Sequence, residues 1–223
     1  MPETQAGRPQ NRPPRKQRLR DNHPDRYSEI IRVATRVLAT EGYTVANVNR
    51  VAEEARVGVG TLYNYFDDKD DLFLTCVEAA AATDFKTKAA RVDTSAPALE
   101  MLRTIIRVDL ELMQIDPDGQ ELLRSVFYGI NSRLPAVREA QALYAGSIEL
   151  VEQALVKGVD EGVLDLGGET RLVALLVNGM METYRVLGDL LAEEKHDGRP
   201  SPAERALAVL CRGILSPGGR SGT

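Results

Sequence analysis

From Tyr27 onward the apolar residues return every three or four positions, and no stretch sustains the every-second-residue alternation of a half-buried strand. Apolar residues held in helical register can be buried only by packing helix on helix, so the expected fold class is all-α. Tyr27, Ile30, Ile31, Ala34, Val37 and Leu38 mark a first long helix, and Gly42 offers a left-handed stop after Glu41. Val48, Val51, Ala52 and Ala55 mark a short piece, and 59–66 another. Asp68 and Asp71 have the spacing of a capping box opening a helix over 69–90. Further helices are expected over 97–115, 119–131, 134–161, 169–194 and 202–215, separated by runs of turn formers.

Composition narrows the function classes. The chain has 223 residues, 43% of them apolar and 27% charged, which suits a globular protein with a sizeable core. Cys76 and Cys211 are too few for a disulfide framework, so a reduced compartment is expected. No apolar run exceeds six residues (Leu172 to Val177), against the ~20 that span a bilayer. With no export signal either, the expectation is a cytoplasmic protein with no membrane partner. The isolated histidines, His23 and His196, cannot build a triad or a metal site, and no phosphate-cradling glycine loop is present. An enzyme is therefore not expected, nor a metal or cofactor.

Charge is distributed unevenly. Residues 1–66 carry eleven Lys and Arg against seven Asp and Glu, whereas the rest of the chain is strongly acidic. From Arg8 to Arg20 there are six basic residues and no acid. Such an arm suits a phosphate backbone, and equally a solubilising tail; Pro2, Pro9, Pro13, Pro14 and Pro24 predict that it is unfolded.

In residues 47–66, Ala52 is small where two short helices would cross, and Val51, Ala55, Val57, Leu62 and Tyr65 are spaced to fill one core from both sides of the turn. This is the spacing of a helix-turn-helix, although any compact helical hairpin packs in a similar way. The residues themselves say more. Ile30-Ile31, Ala34, Leu38, Glu41-Gly42-Tyr43, Val51-Ala52, Gly60-Thr61-Leu62-Tyr63, Tyr65-Phe66, Lys69 and Leu72 together resemble the DNA-binding domain of the tetracycline-repressor family, over about Tyr27 to Leu74.

The resemblance implies an N-terminal three-helix DNA-binding domain followed by a C-terminal helical bundle for ligand binding and dimerisation. Its boundaries would be a disordered basic arm (1–24), the helix-turn-helix domain (25–74), the effector and dimerisation domain (75–216) and a disordered tail (217–223). It implies a homodimeric repressor of double-stranded DNA, binding a palindromic operator and released by a small, lipophilic effector. Gly60, Thr61, Tyr63, Asn64 and Tyr65 would lie on the helix facing DNA, with Tyr63 favoured over Tyr65 as the DNA-facing ring. Lys69 would add a phosphate contact, and Asn47 would cap the preceding helix and touch the backbone. Three positions depart from the family's pattern. Arg56 stands where the turn usually has Gly, so a left-handed backbone there costs on the order of 1 kcal/mol. Gly58 replaces a hydroxyl cap, and Val59 replaces a polar base-reader, leaving methyls that can pack on a thymine methyl.

In the helix over 169–194, Leu172, Leu175, Leu176, Met180, Leu187 and Leu191 form one apolar stripe, and Val173, Val177, Met181 and Tyr184 another. A helix apolar on two sides is covered on two sides. The resemblance assigns the second cover to a twin subunit, through the helices over 169–194 and 202–215. Two recognition helices would then stand roughly 34 Å apart. Met101, Met113, Phe127, Tyr128, Asn131, Tyr144, Met180 and Tyr184 are candidate liners of an effector pocket, each with ordinary core as the alternative. The rival readings are a ligand-independent architectural DNA-binding protein and a helical protein-interaction module.

Overall fold

The computed structural model describes residues 15–129, 134–192 and 208. Among the described residues there are nine helices and no strand: α1 (Arg15–Asn22), α2 (Pro24–Val45), α3 (Val48–Glu54), α4 (Val59–Tyr65), α5 (Lys69–Arg91), α6 (Ala98–Ile115), α7 (Pro117–Tyr128), α8 (Pro135–Asp160) and α9 (Thr170–Ala192). None is long and apolar enough to cross a membrane. The helix predicted over 202–215 lies outside the described residues, apart from Ala208.

The arm expected to be unfolded through residue 24 is helical over α1. Leu19 packs against the core beneath it, and Pro24 begins α2, where its missing N–H has no helical acceptor to lose. Buried Ile30, Val33, Ala34, Val37 and Leu38 give α2 its inner face. Gly42 has the positive φ expected of a stop (φ 76°, ψ 156°), but the helix resumes, so the residue makes a kink instead.

The caps follow local chemistry. Asp68 accepts from the Asp71 amide at 2.9 Å, while Asp71 reaches back to the amide of Asp67 at 2.8 Å, one residue earlier than in a regular capping box. The Asp116 carboxylate caps α7 at the Gly119 amide (3.2 Å), and left-handed Gly129 ends it (φ 51°). Glu161, at the far end of α8, caps α6 by accepting from the Ala98 amide at 3.0 Å. Gly158 lets α8 press there, since a Cβ would lie 2.4 Å from a Leu164 methyl.

Two large apolar clusters form most of the core, with a small third one, Ile106 and Met181, between α6 and α9. One joins α2, α3, α4 and the first half of α5 to Leu122, Leu123 and Val126 of α7 and to Ala136, Val137 and Ala140 of α8. The other joins Met101, Leu102 and Ile105 of α6 to the second half of α8 and to Val173, Ala174 and Val177 of α9. A buried ion cluster lies on α5 and α6, where Lys88 Nζ is 2.8 Å from Asp84 and 2.6 Å from Asp109. Burial works against this ammonium, but Asp109 and then Asp84 outweigh it and raise its pKa above lysine's ordinary value.

Two substitutions test these packing arguments. Lys88→Met removes the cation from two buried carboxylates and is expected to cost about 3–5 kcal/mol, read as a lower urea midpoint. Arg56 has φ 55°, the sole non-glycine with positive φ among the described residues. Arg56→Gly relieves that strain against a larger unfolded-state entropy, so a gain of about 0.5–1 kcal/mol is expected by the same measurement.

Candidate nucleic-acid interface

The turn between α3 and α4 is a complete Schellman motif. The Val57 amide donates to the Ala52 carbonyl at 2.9 Å and the Arg56 amide to that of Glu53 at 3.0 Å, with Arg56 taking the left-handed position. Val51, Ala52 and Ala55 are buried on one side of the turn and Leu62 and Tyr65 on the other, as the crossing of two short helices requires. Two ion pairs brace α3 against α2, Arg36 to Glu54 at 2.7 Å and Arg50 to Glu41, and Arg50 also pairs with Glu54 along α3 at 2.9 Å. The Arg50 and Arg36 guanidinium hydrogen bonds hold the Glu54 carboxyl below its ordinary pKa.

The two faces of α4 differ sharply. Leu62 and Tyr65 point inward, whereas Gly60, Thr61, Tyr63 and Asn64 are exposed, Tyr63 at 44%. Tyr65, predicted among the DNA-facing residues, is 5% exposed, with its ring 6.1 Å from that of Tyr27. At ~100° per residue, positions 63 and 65 stand on opposite sides of the helix, so one tyrosine faces out and the other in. Val59 is half-buried against the core, which leaves part of its side chain outward. Gly58 precedes α4 with no side-chain cap, and its carbonyl accepts from Thr61 and Leu62 at 2.8 and 3.1 Å. A Cβ on Gly60 would meet nothing within 4 Å, so nothing inside the protein demands glycine there.

Asn47 caps α3, accepting from the Asn49 amide at 2.8 Å, and is exposed. Lys69, half-buried at the start of α5, donates to the Thr44 carbonyl at 3.3 Å and sits 4.9 Å from the Tyr43 ring centroid. Tyr43 donates to Asp70; burial first, and then that bond, pushes its pKa up to about 12. Asn47, Gly60, Thr61, Tyr63 and Asn64 are thus the exposed members of the predicted set, with Val59 and Lys69 at its half-buried margin.

Of the predicted effector liners, Met101 and Met180 come together in the second apolar cluster. Met101 is buried in the second cluster, Met180 packs against that cluster, Met113 and Phe127 are half-buried, and Tyr128 is 45% exposed. Asn131 and the side chains of Tyr144 and Tyr184 lie outside the described residues. A cleft of about 320 Å³ opens instead where α2, α5 and the start of α7 meet, among Tyr27, Ile31, Thr35, Thr75, Thr83 and Asp116. None of the predicted liners borders it.

Residues 30–76 match the family described as bacterial regulatory proteins, tetR family. Over 176 residues the chain is 24% identical to the fatty acid metabolism regulator protein of Bacillus subtilis (strain 168), a match that covers 77% of this chain and 87% of that protein. The crystal structure of the transcriptional regulator FadR from Bacillus subtilis in complex with stearoyl-CoA superposes with a TM-score of 0.69 at 24% identity, over 84% of this chain and 99% of that one. AibR in complex with isovaleryl coenzyme A and operator DNA superposes at 0.65 and 19% identity, over 86% and 98% of the two chains. The family match runs from α2 into α5 and takes in the whole Schellman-turned helix pair, while the likeness of fold continues through the body; residues 30–76 are a helix-turn-helix domain of the tetR family of bacterial regulatory proteins.

Proposed function

We propose that this protein is a homodimeric transcriptional repressor that reads a palindromic operator with α4 and is released from it by a small lipophilic ligand, acting in the cytoplasm. The outward face of α4 carries the reading: a short helix anchored by Leu62 and Tyr65 leaves Gly60, Thr61, Tyr63 and Asn64 exposed on the other side. Gly60 lets the duplex come close, the hydroxyls of Thr61 and Tyr63 donate to phosphate oxygens, and the Asn64 amide suits an adenine edge or a phosphate. Lys69 turns its ammonium from the Thr44 carbonyl to a phosphate beside the start of α5.

The two stripes of α9 support the dimer. Val173, Val177 and Met181 are buried against the body, while Leu172, Leu175 and Leu176 are exposed at 51%, 42% and 56%. Three leucines side by side on one helix need a cover, and a second copy of α9 offers the same apolar stripe by two-fold symmetry. The fatty acid metabolism regulator and the complexes with stearoyl-CoA and isovaleryl coenzyme A make an acyl-coenzyme A the first effector class to try.

Anisotropy titrations of duplexes tiled across the DNA flanking the protein's own gene, with excess non-specific competitor, test the core of this reading. One surviving fragment containing an inverted repeat is expected, and stearoyl-CoA or isovaleryl-CoA should release it. Uniform binding to every fragment would indicate an architectural protein instead. Tyr63→Ala is expected to weaken binding at least about tenfold without lowering the melting temperature, because it removes a charge-assisted hydrogen bond from each protomer. Leu175→Glu with Leu176→Glu should shift the protein to monomer in sedimentation equilibrium; a persistent dimer would remove α9 from the interface.

A further inference from the structure

The recognition helix of this protein carries no charge, and its surroundings are acidic. Val59–Tyr65 contains neither Lys nor Arg, and residues 24–74 as a whole hold six basic against nine acidic residues. Three of those cations are already engaged, Arg32 with Glu29, Arg36 with Glu54, and Arg50 with Glu41 and Glu54. A duplex carries one negative charge per ~1.7 Å of its axis, and affinity for it comes largely from cations that displace its counterions. The helix-turn-helix alone is therefore poorly supplied with the electrostatic part of DNA binding. Residues 1–23, by contrast, hold six basic residues and two acidic ones.

The structure shows where the helical part of that segment sits. α1, which lies before the start of the family match at residue 30, docks on α4. The fastening is Arg20. Its guanidinium donates to the Tyr65 carbonyl at the end of α4 at 2.8 and 3.3 Å, lies 3.5 Å from Asp71 in the first turn of α5, and stands 5.3 and 5.4 Å from the ring centroids of Tyr27 and Phe66. It thus binds one of the orphan carbonyls of a seven-residue helix that has no basic residue of its own in its last turn. Leu19 adds an apolar foot on the same core. α1 carries Arg15, Lys16 and Arg18 in the turns just before this fastening.

Given that α4 reads DNA, we infer that α1 is a fourth helix of the DNA-binding head, and that it supplies the phosphate-neutralising charge which α3 and α4 lack. Arg20 is its positioning residue: it commits its own charge to Tyr65 and Asp71 and holds the stretch with Arg15, Lys16 and Arg18 beside the recognition helix, where the partner they fit is the phosphate backbone bordering the operator half-site. Shape and base contacts reside in α4, and most of the salt-dependent affinity resides in α1, beside the one phosphate assigned to Lys69.

The test uses the full chain and a duplex selected by the wild-type protein from a random-sequence pool, titrated by anisotropy over a range of salt. Arg15→Gln/Lys16→Gln/Arg18→Gln should keep the melting temperature and the preferred sequence, weaken affinity about a hundredfold at low salt, and flatten the plot of log affinity against log salt by about 0.9 for each phosphate left without its cation. Arg20→Ala retains those three cations and should flatten the plot as well; Arg20→Lys, which lacks the two-pronged donation and the flat face for the rings, should fall on the same side. An unchanged salt slope in the triple variant overturns the inference. A wild-type slope in both Arg20 variants, with α1 still helical by circular dichroism, overturns the role of Arg20. Wild-type protein that selects no duplex at all refutes the DNA-binding reading itself, an outcome distinct from either.

Discussion

The apolar core that runs without a break from the head into the body governs the rest of the structure. Ile30, Val33, Ala34 and Val37 of α2 share one cluster with Leu122, Leu123 and Val126 of α7, and α5 threads through both. Each buried aliphatic side chain is worth about 1.5–3 kcal/mol, so this seam is not a loose linker between two domains. The head takes its orientation from α5 and α7, and a rearrangement of either carries α4 with it. The cleft among Tyr27, Ile31, Thr35, Thr75 and Thr83 lies on the same seam.

Much of this was legible in the sequence because it is local. Helical spacing placed α2 to α9 within a few residues of their observed ends, and the capping pair at Asp68 and Asp71, the cap at Asn47 and the positive φ of Gly42 all follow from near neighbours. What was missed is non-local. Arg20 meets Tyr65 across 45 residues and Asp71 across 51. The prolines around it read as disorder, although Arg15-Lys16-Gln17-Arg18-Leu19-Arg20 is an unbroken run of good helix formers. Lys88 and Asp84, four residues apart, look like a solvated surface pair, and only the arrival of Asp109 from α6 turns them into a buried cluster.

The distribution of charge in the head has a consequence for how it recognises DNA. Arg36 and Arg50 brace α2 against α3, so these guanidinium groups are committed to the architecture before DNA arrives. α4 then offers hydroxyls, an amide, a methyl edge and a bare glycine backbone. Such a surface suits contour and adenine or thymine edges, and it lacks the bidentate arginine that selects guanine. Sequence preference and electrostatic affinity thereby fall to different helices, and a change in one need not disturb the other. An acidic helix-turn-helix also holds less strongly to random DNA, which favours discrimination over retention.

The same seam bounds what an effector must do. Carrying a two-state population from 1:99 to 99:1 takes about 5.5 kcal/mol of preference for one state. That is the burial energy of roughly two to four aliphatic side chains, and Leu122, Leu123 and Val126 are three such residues already packed between body and head. A ligand seated in the body has no need to reach the DNA-binding surface; it has only to fit better in the arrangement where α7 has moved against α2. Linkage then makes the effect mutual: whatever factor the ligand takes from DNA affinity, bound DNA takes from ligand affinity, because both are drawn from one repacking of the same core.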